Sequence, residues 1–416
     1  MKWMAASSGA AAVAGCAGMG GPAAGRVVVI GGGYGGATAA RYIKLWASDI
    51  DVTMVERNDT FVSCPISNLV LGGNTQIGTI TMGYDGLRKR GVNIVRDDAV
   101  AVDAGARQVR LASGKTLPYD RLIVSPGIDF LYDQIPGLKS ADAQNQVLHA
   151  WKAGPQTVAL RKQLEEMRDG GVFVFQFPMA PYRCPPGPYE RVCQVADYFK
   201  RAKPKSKIIV LDANPDIVSK KGLFLAAWNG MYKDMIDYRP NSELADVDVK
   251  GMTVKLTFGS VKGDVLNVVP PHGAGNIARQ AGLITANQRW CGIDWLTMES
   301  VAVKGIHVLG DATLSAPAMP KSASMANQHA KVCAAAVIAL IKGQPVNPQP
   351  MMMNTCYSFV DARNVMHVAS VHTYDPAQKT MVPVKGAGGV SDKASEFEGT
   401  YAWGWARNIW GEALGG

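Results

Sequence analysis

Cys184 lies in the segment APYRCPPGPYER, residues 180–191, shortly after the apolar run Val172–Phe177. In a strand–loop–helix unit that binds a dinucleotide, the loop supplies glycines whose backbone amides face the phosphates. Here a single glycine, Gly187, stands among prolines, and Pro185, Pro186 and Pro188 have no N–H to offer. A thiol has replaced the phosphate cradle. An intact cradle lies upstream in VVVIGGGYGGATAARYI, Val27–Ile43. A β-branched strand leads into Gly31, Gly33 and Gly36, spaced GxGxxG, and a helix follows. A second strand, Asp51–Val55, ends at Glu56, twenty residues after Gly36. The glycines permit a tight turn and close pyrophosphate approach, the helix N-terminus stabilises the phosphate charge, and Glu56 can accept from a ribose hydroxyl. One nucleotide site and one thiol site together point to flavin and cysteine redox chemistry.

Beyond residue 25 the cysteines are Cys64, Cys184, Cys193, Cys291, Cys333 and Cys356. They form no CxxC pair and no Cys/His ligand spacing, so no metal site is expected. Six cysteines allow fifteen pairings, and the sequence alone does not choose among them. Cys193, Cys291 and Cys333 sit in helical or apolar stretches and read as buried thiols. Glu190 lies six residues past Cys184, at the start of a helix. It can exchange protons with a nearby sulfur and equally suits a helix N-terminus.

Two further segments indicate how these residues are positioned. Tyr119–Gly127 reads as a strand running into a glycine turn at Gly127. Gly305–Ala312 reads as another, ending in Asp311 ahead of a helix over Ser324–Lys342. Both resemble later motifs of the two-dinucleotide flavoproteins, in which the aspartate holds the ribityl chain of FAD. The expected fold is α/β, with two Rossmann-like three-layer domains of the glutathione-reductase-like type and a smaller C-terminal α+β domain. The FAD-binding domain is discontinuous, 26–137 and 275–345. Residues 138–274 form the second Rossmann-like domain, which carries Cys184, and 346–416 form a C-terminal interface domain. Without a phosphate cradle in the insert, NAD(P)H is not expected to bind.

Residues 1–25, a lysine followed by a small-residue apolar stretch, resemble an export signal. With a late start assignment they suit a twin-arginine leader, and Cys16 stands in a string compatible with lipidation. The expected location is the periplasm, where disulfides persist. Excluding these residues removes Lys2 and lowers the net charge from +9 to +8, a basic surface that can steer an acidic protein partner. The lysines and arginines are scattered without a basic-aromatic run, which excludes nucleic acid. The longest later apolar run, Val332–Ile341, is too short to span a membrane.

The blocks GGGYGGATAARYIKL, FVSCPISNLVLGG, HAWKAGPQTVALRKQLEEM, RCPPGPYER, HVLGDA with MPKSASMAN, and NTCYS occur in this order over almost all of 26–416. On them the chain resembles the flavoprotein subunit of flavocytochrome c sulfide dehydrogenase. The resemblance implies that Cys64 carries FAD through an 8α thioether and that Cys184 and Cys356 form a redox-active disulfide beside the flavin. Hydrosulfide then opens that disulfide to a persulfide and a thiolate, two electrons pass to FAD, and a c-type cytochrome subunit accepts them. No CxxCH occurs in the chain, so haem c belongs to the partner subunit only. By the same resemblance Trp405 walls the sulfide site, while Lys321 can place positive charge near the pyrimidine end of the flavin. Two alternatives stay open: a sulfide:quinone oxidoreductase at a membrane surface, and a non-catalytic flavin subunit of a sulfur-oxidising complex. The segment before His149 lacks the third cysteine that quinone-linked relatives tend to carry, which favours the cytochrome.

Overall fold

The computed structural model describes residues 23–415. The expected export signal, Cys16 included, lies almost entirely outside the described residues. Five parallel strands form the first sheet, in the order Ile306–Val308, Arg121–Val124, Gly25–Ile30, Ile50–Glu56 and Asn93–Arg96. Its strands come from both sides of the inserted segment. Val27, Val28 and Val29 in the central strand are at most 2% exposed, as expected for β-branched residues in a parallel sheet covered on both faces. The helices Tyr34–Trp46 and Ala323–Ile341 pack together beside it.

The insert holds a second parallel sheet, in the order Ile236–Arg239, Lys207–Asp212, Val172–Phe177 and Val265–Val268. Phe173, Phe175 and Phe177 are fully buried, and each contributes roughly 1.5–3 kcal/mol by leaving water. The helix Gly187–Ala202 follows the Cys184 loop, and its first turn tolerates Pro188 because no intrahelical donor is needed there. The two domains are joined by an antiparallel pair, Ile128–Phe130 with His272–Ala274.

The C-terminal region is α+β. Met351–Phe359, Val365–Asp375 and Thr380–Val390 form an antiparallel sheet, and the helix Glu396–Leu414 packs on its middle strand. Ser395 caps that helix by accepting from the Glu398 amide. Among the described residues no helix is long and apolar enough to cross a membrane.

Candidate active site

A single cavity of about 1160 Å³ runs between the three regions. Its wall includes Gly31, Gly33, Glu56, Cys64, Gly127, Cys184, Glu190, Asp311, Lys321, Cys356 and Trp405. Of the residues expected to bind the cofactor or to act in catalysis, all lie on it except Gly36, which acts from behind. A Cβ on Gly36 would stand 1.9 Å from the Gly31 carbonyl oxygen, so only glycine lets the helix Tyr34–Trp46 start this close to the strand. Gly31 has φ +99 and faces the Ser125 carbonyl. Gly33 and Gly127 meet nothing where a Cβ would be, leaving backbone open to the cavity.

FAD fits this wall. Asp311 Oδ1 is shielded from solvent and has no hydrogen-bond partner among the described residues, and burial raises the Asp311 carboxyl above its ordinary value. An orphaned acceptor at the end of the Ile306–Val308 strand suits a ribityl hydroxyl. Glu56 is already engaged: Oε2 accepts from the Gly32 amide at 2.7 Å, and Oε1 accepts from both nitrogens of Asn58. These bonds fix the carboxylate at the cavity edge and leave lone pairs for a ribose.

Lys321 is more constrained than expected. Its ammonium donates to the carbonyls of Asp311 and Thr313 and sits 3.8 Å over the Trp290 ring, which ties its charge to the Asp311 turn. Burial lowers its pKa to about 8. Its own carbonyl accepts from the Cys184 amide at 2.7 Å, so the same residue anchors the thiol loop.

Cys184 has φ +59, in the left-handed region that a non-glycine residue seldom occupies. The turn is closed by the Gly187 amide donating to the Cys184 carbonyl. The side chain is open to solvent because it faces the cavity, yet protein surrounds that cavity. Burial therefore drives the Cys184 thiol well up, helped by the nearby Cys356, Glu190 and Cys64. Cys356, on the first strand of the C-terminal sheet, is also raised by burial, and Lys220 and Asn354 counter the shift. Cys184 and Cys356 thus line one cavity from two different regions of the chain. Cys193, Cys291 and Cys333 are completely buried.

Glu190 accepts from Asn68 Nδ2 at 2.7 Å and from the Phe359 amide at 2.9 Å. It thereby joins all three regions, and burial raises its carboxyl. Trp405 reaches the cavity from the C-terminal helix and packs against Tyr357, with centroids 5.9 Å apart.

Sequence reading missed four side chains. Arg183 places Nη2 3.2 Å from the Cys64 sulfur and also donates to the Trp151 carbonyl. Arg191, 2% exposed, binds Asn68 Oδ1, the carbonyls of His149 and Ala150, and Asn267 Oδ1. Asn68 thus bridges Glu190 and Arg191. The two arginines are the first and last residues of RCPPGPYER and Asn68 lies in the Cys64 block, so proximity to the motif cysteines was a usable signal. Lys220, beside Cys356, carried none. His149 and His329, left without a role by the sequence, accept the amides of Trp151 and Gly310 at Nδ1.

The fold and site define an FAD-dependent oxidoreductase with three cysteines, Cys64, Cys184 and Cys356, on its cavity wall. The pyridine nucleotide-disulphide oxidoreductase family model matches residues 25–166. The model for the central region of the sulfide dehydrogenase [flavocytochrome c] flavoprotein chain matches 157–270, and that for the flavin-binding region of flavocytochrome c sulphide dehydrogenase matches 348–414. A 45-residue stretch is 53% identical to the sulfide dehydrogenase [flavocytochrome c] flavoprotein chain of Chlorobaculum thiosulfatiphilum, covering 11% of this chain and 94% of that sequence. The mitochondrial sulfide:quinone oxidoreductase of Dictyostelium discoideum is 24% identical over 319 residues, 73% of this chain and 68% of its own. In fold the chain is similar to the sulfide:quinone oxidoreductase of Aquifex aeolicus, with TM-score 0.75, 17% identity and coverage of 94% and 92% of the two chains. The chain belongs to the flavocytochrome c sulfide dehydrogenase flavoprotein family, within the sulfide-oxidising flavoproteins.

Proposed function

We propose that this chain oxidises sulfide through a Cys184–Cys356 disulfide, with FAD held covalently by Cys64, and delivers the electrons to a c-type cytochrome subunit in the periplasm. The observation that carries the reading is the convergence of Cys64, Cys184, Cys356 and Glu190 on one cavity whose far end is the glycine cradle. Gly31, Gly33, Glu56, Gly127 and Asp311 would hold the cofactor, which when bound takes two electrons from sulfur and releases them singly. The protein supplies the rest. Cys184 presents its sulfur to the cavity from a strained turn, Glu190 exchanges a proton beside it at a carboxyl raised by burial, and Trp405 restricts water. Arg183 places its guanidinium against the Cys64 sulfur.

Use of NADH is disfavoured by the proline-rich loop of the second domain. The quinone reading is supported by the C-terminal region, where Met351, Met353, Val390, Phe397 and Tyr401 are exposed and a membrane surface or a docked protein would cover them. Anaerobic reduction by sulfide, followed by separate addition of cytochrome c and a quinone analogue, decides between the acceptors. Rapid haem reduction with little quinone turnover is expected, and its rate should fall as salt rises if docking is partly electrostatic. Faster quinone reduction by lipid-bound protein moves the assignment to the quinone enzyme. Acid denaturation should leave flavin on the wild-type polypeptide and release it from Cys64→Ala. Complete release from wild type removes the thioether.

A further inference from the structure

Lys220 is 8% exposed, and its backbone lies in the left-handed region at φ +54. From the second domain it reaches the C-terminal sheet, donating to the Cys356 carbonyl at 2.9 Å and to the Ser358 hydroxyl at 2.8 Å. Among the described residues no carboxylate lies within ion-pair distance of it. A buried ammonium with only neutral acceptors is costly, and a strained backbone adds to the cost. An anion forming at Cys356 would offset both.

We propose that Lys220 is a positioning residue that sets the direction in which the Cys184–Cys356 disulfide opens. Hydrosulfide attacks Sγ of Cys184 and a new S–S bond forms there. The bond to Cys356 breaks, and Cys356 leaves with the electron pair as a thiolate beside the Lys220 ammonium. The persulfide proton stays on the terminal sulfur until Glu190 accepts it. This rests on the reading of Cys184 and Cys356 as a disulfide. Three observations support the direction. Cys184 is exposed to the cavity while Cys356 is half-buried. Asn354 Nδ2 lies 3.5 Å from the Cys356 sulfur as a second donor. Glu190 opposes the thiolate of both sulfurs, but the charge of Lys220 is the first to counter the rise that burial imposes on Cys356, whereas at Cys184 the charge of Arg183 ranks behind Cys356, Glu190 and Cys64, which all raise it. The sulfur whose thiol is the stronger acid leaves faster. Around Lys220 the other titratable groups are Cys356, Glu190, Cys184 and, from the C-terminal helix, Glu398. Burial lowers Lys220 itself to about 8, so it is charged at neutral pH.

The test uses oxidised holoprotein as wild type, Lys220→Met and Lys220→Arg. Each is treated anaerobically with one equivalent of sulfide, quenched with iodoacetamide and mapped by peptide mass. The extra sulfur is expected on the Cys184 peptide of wild type and of Lys220→Arg. Untreated protein is mapped without reductant alongside. Loss of the Cys184–Cys356 linked peptide from that control overturns the disulfide reading and the proposal with it. A linked control with the extra sulfur on Cys356 overturns the direction alone. In the reduced proteins, the pH at which Cys356 becomes alkylated should rise by about one unit in Lys220→Met, with Cys184 nearly unmoved and Lys220→Arg close to wild type. An unmoved Cys356 profile shows Lys220 to be a structural residue only. Should Lys220→Met fail to fold, the wild-type map still decides the direction.

Discussion

After the strand Gly25–Ile30 the chain turns through three glycines, and after Val172–Phe177 it turns through four prolines and a cysteine before the next helix. The first turn leaves backbone bare at Gly33 and a carboxylate, Glu56, at the cavity edge. The second fills the equivalent space with protein. Asp212, which ends the neighbouring strand of the second sheet as Glu56 does in the first, is completely buried. Its Oδ2 accepts from the hydroxyls of Tyr189 and Tyr238, both at 2.9 Å, and its Oδ1 from both nitrogens of Asn214. Four donors occupy the carboxylate that a ribose would need. The same supersecondary unit therefore leaves an open glycine cradle in one domain and carries Cys184 on a filled loop in the other. Side-chain packing decides which.

The comparison breaks most visibly at the sulfurs. Cys184→Ser and Cys356→Ser should each lower the rate of flavin reduction by sulfide about 10³-fold or more, as expected for removing a group that acts covalently, while FAD stays bound. Near-normal sulfide oxidation in both variants would make the second turn structural only. The glycines offer a paired test. Gly36→Ala drives a Cβ into the Gly31 carbonyl and should yield protein without flavin, read from the absorbance of the purified chain. Gly187→Ala puts a Cβ 2.8 Å from the Cys184 sulfur and 3.1 Å from Trp151, so it should keep the flavin and slow its reduction by sulfide roughly tenfold. Equal flavin loss in both would erase the distinction between the turns.

Acid should loosen the seam between the domains. His149, which accepts the Trp151 amide, and His329, which accepts the Gly310 amide, are held neutral by burial, each with its pKa lowered to about 3. His307 is lowered to about 4, and His272, which accepts the Arg183 amide at 3.2 Å, lies well below its ordinary value. The unfolded chain takes up protons near pH 6.5 and the folded protein does not. Stability is therefore full above 6.5 and falls as pH drops, toward about 4 for His307 and about 3 for His149 and His329, by about 1.4 kcal/mol per pH unit for each such histidine. A flat melting temperature between pH 6.5 and 4.5 would contradict this. The smallest effect belongs to the second carboxylate. Asp212→Asn leaves a tyrosine hydroxyl poorly matched and should cost about 1–3 kcal/mol in denaturant unfolding, with flavin content and sulfide reduction unchanged. NADH should reduce the flavin of neither protein, and any NADH activity gained by the variant would show a nucleotide site masked by packing.

Local spacing was enough to read Gly31, Gly33, Gly36 and Glu56, because a strand, a tight turn and a helix within thirty residues leave few geometries open. The same holds for the proline-rich Cys184 loop, whose lack of amide donors is a property of the residues themselves. The alternation of strand and helix likewise carried the α/β class. Cys184 and Cys356 lie 172 positions apart, and only the packing of the C-terminal sheet onto the second domain brings the two sulfurs to one cavity. Lys220 and Asn68 are polar residues of ordinary local context, and their roles follow from what buries them. Asp212 and Glu56 end matching strands and cannot be told apart by position. Whether a carboxylate faces a ligand or a ring of tyrosines is set by side chains distant in sequence, since burial and hydrogen-bond saturation belong to the packed structure and not to the chain.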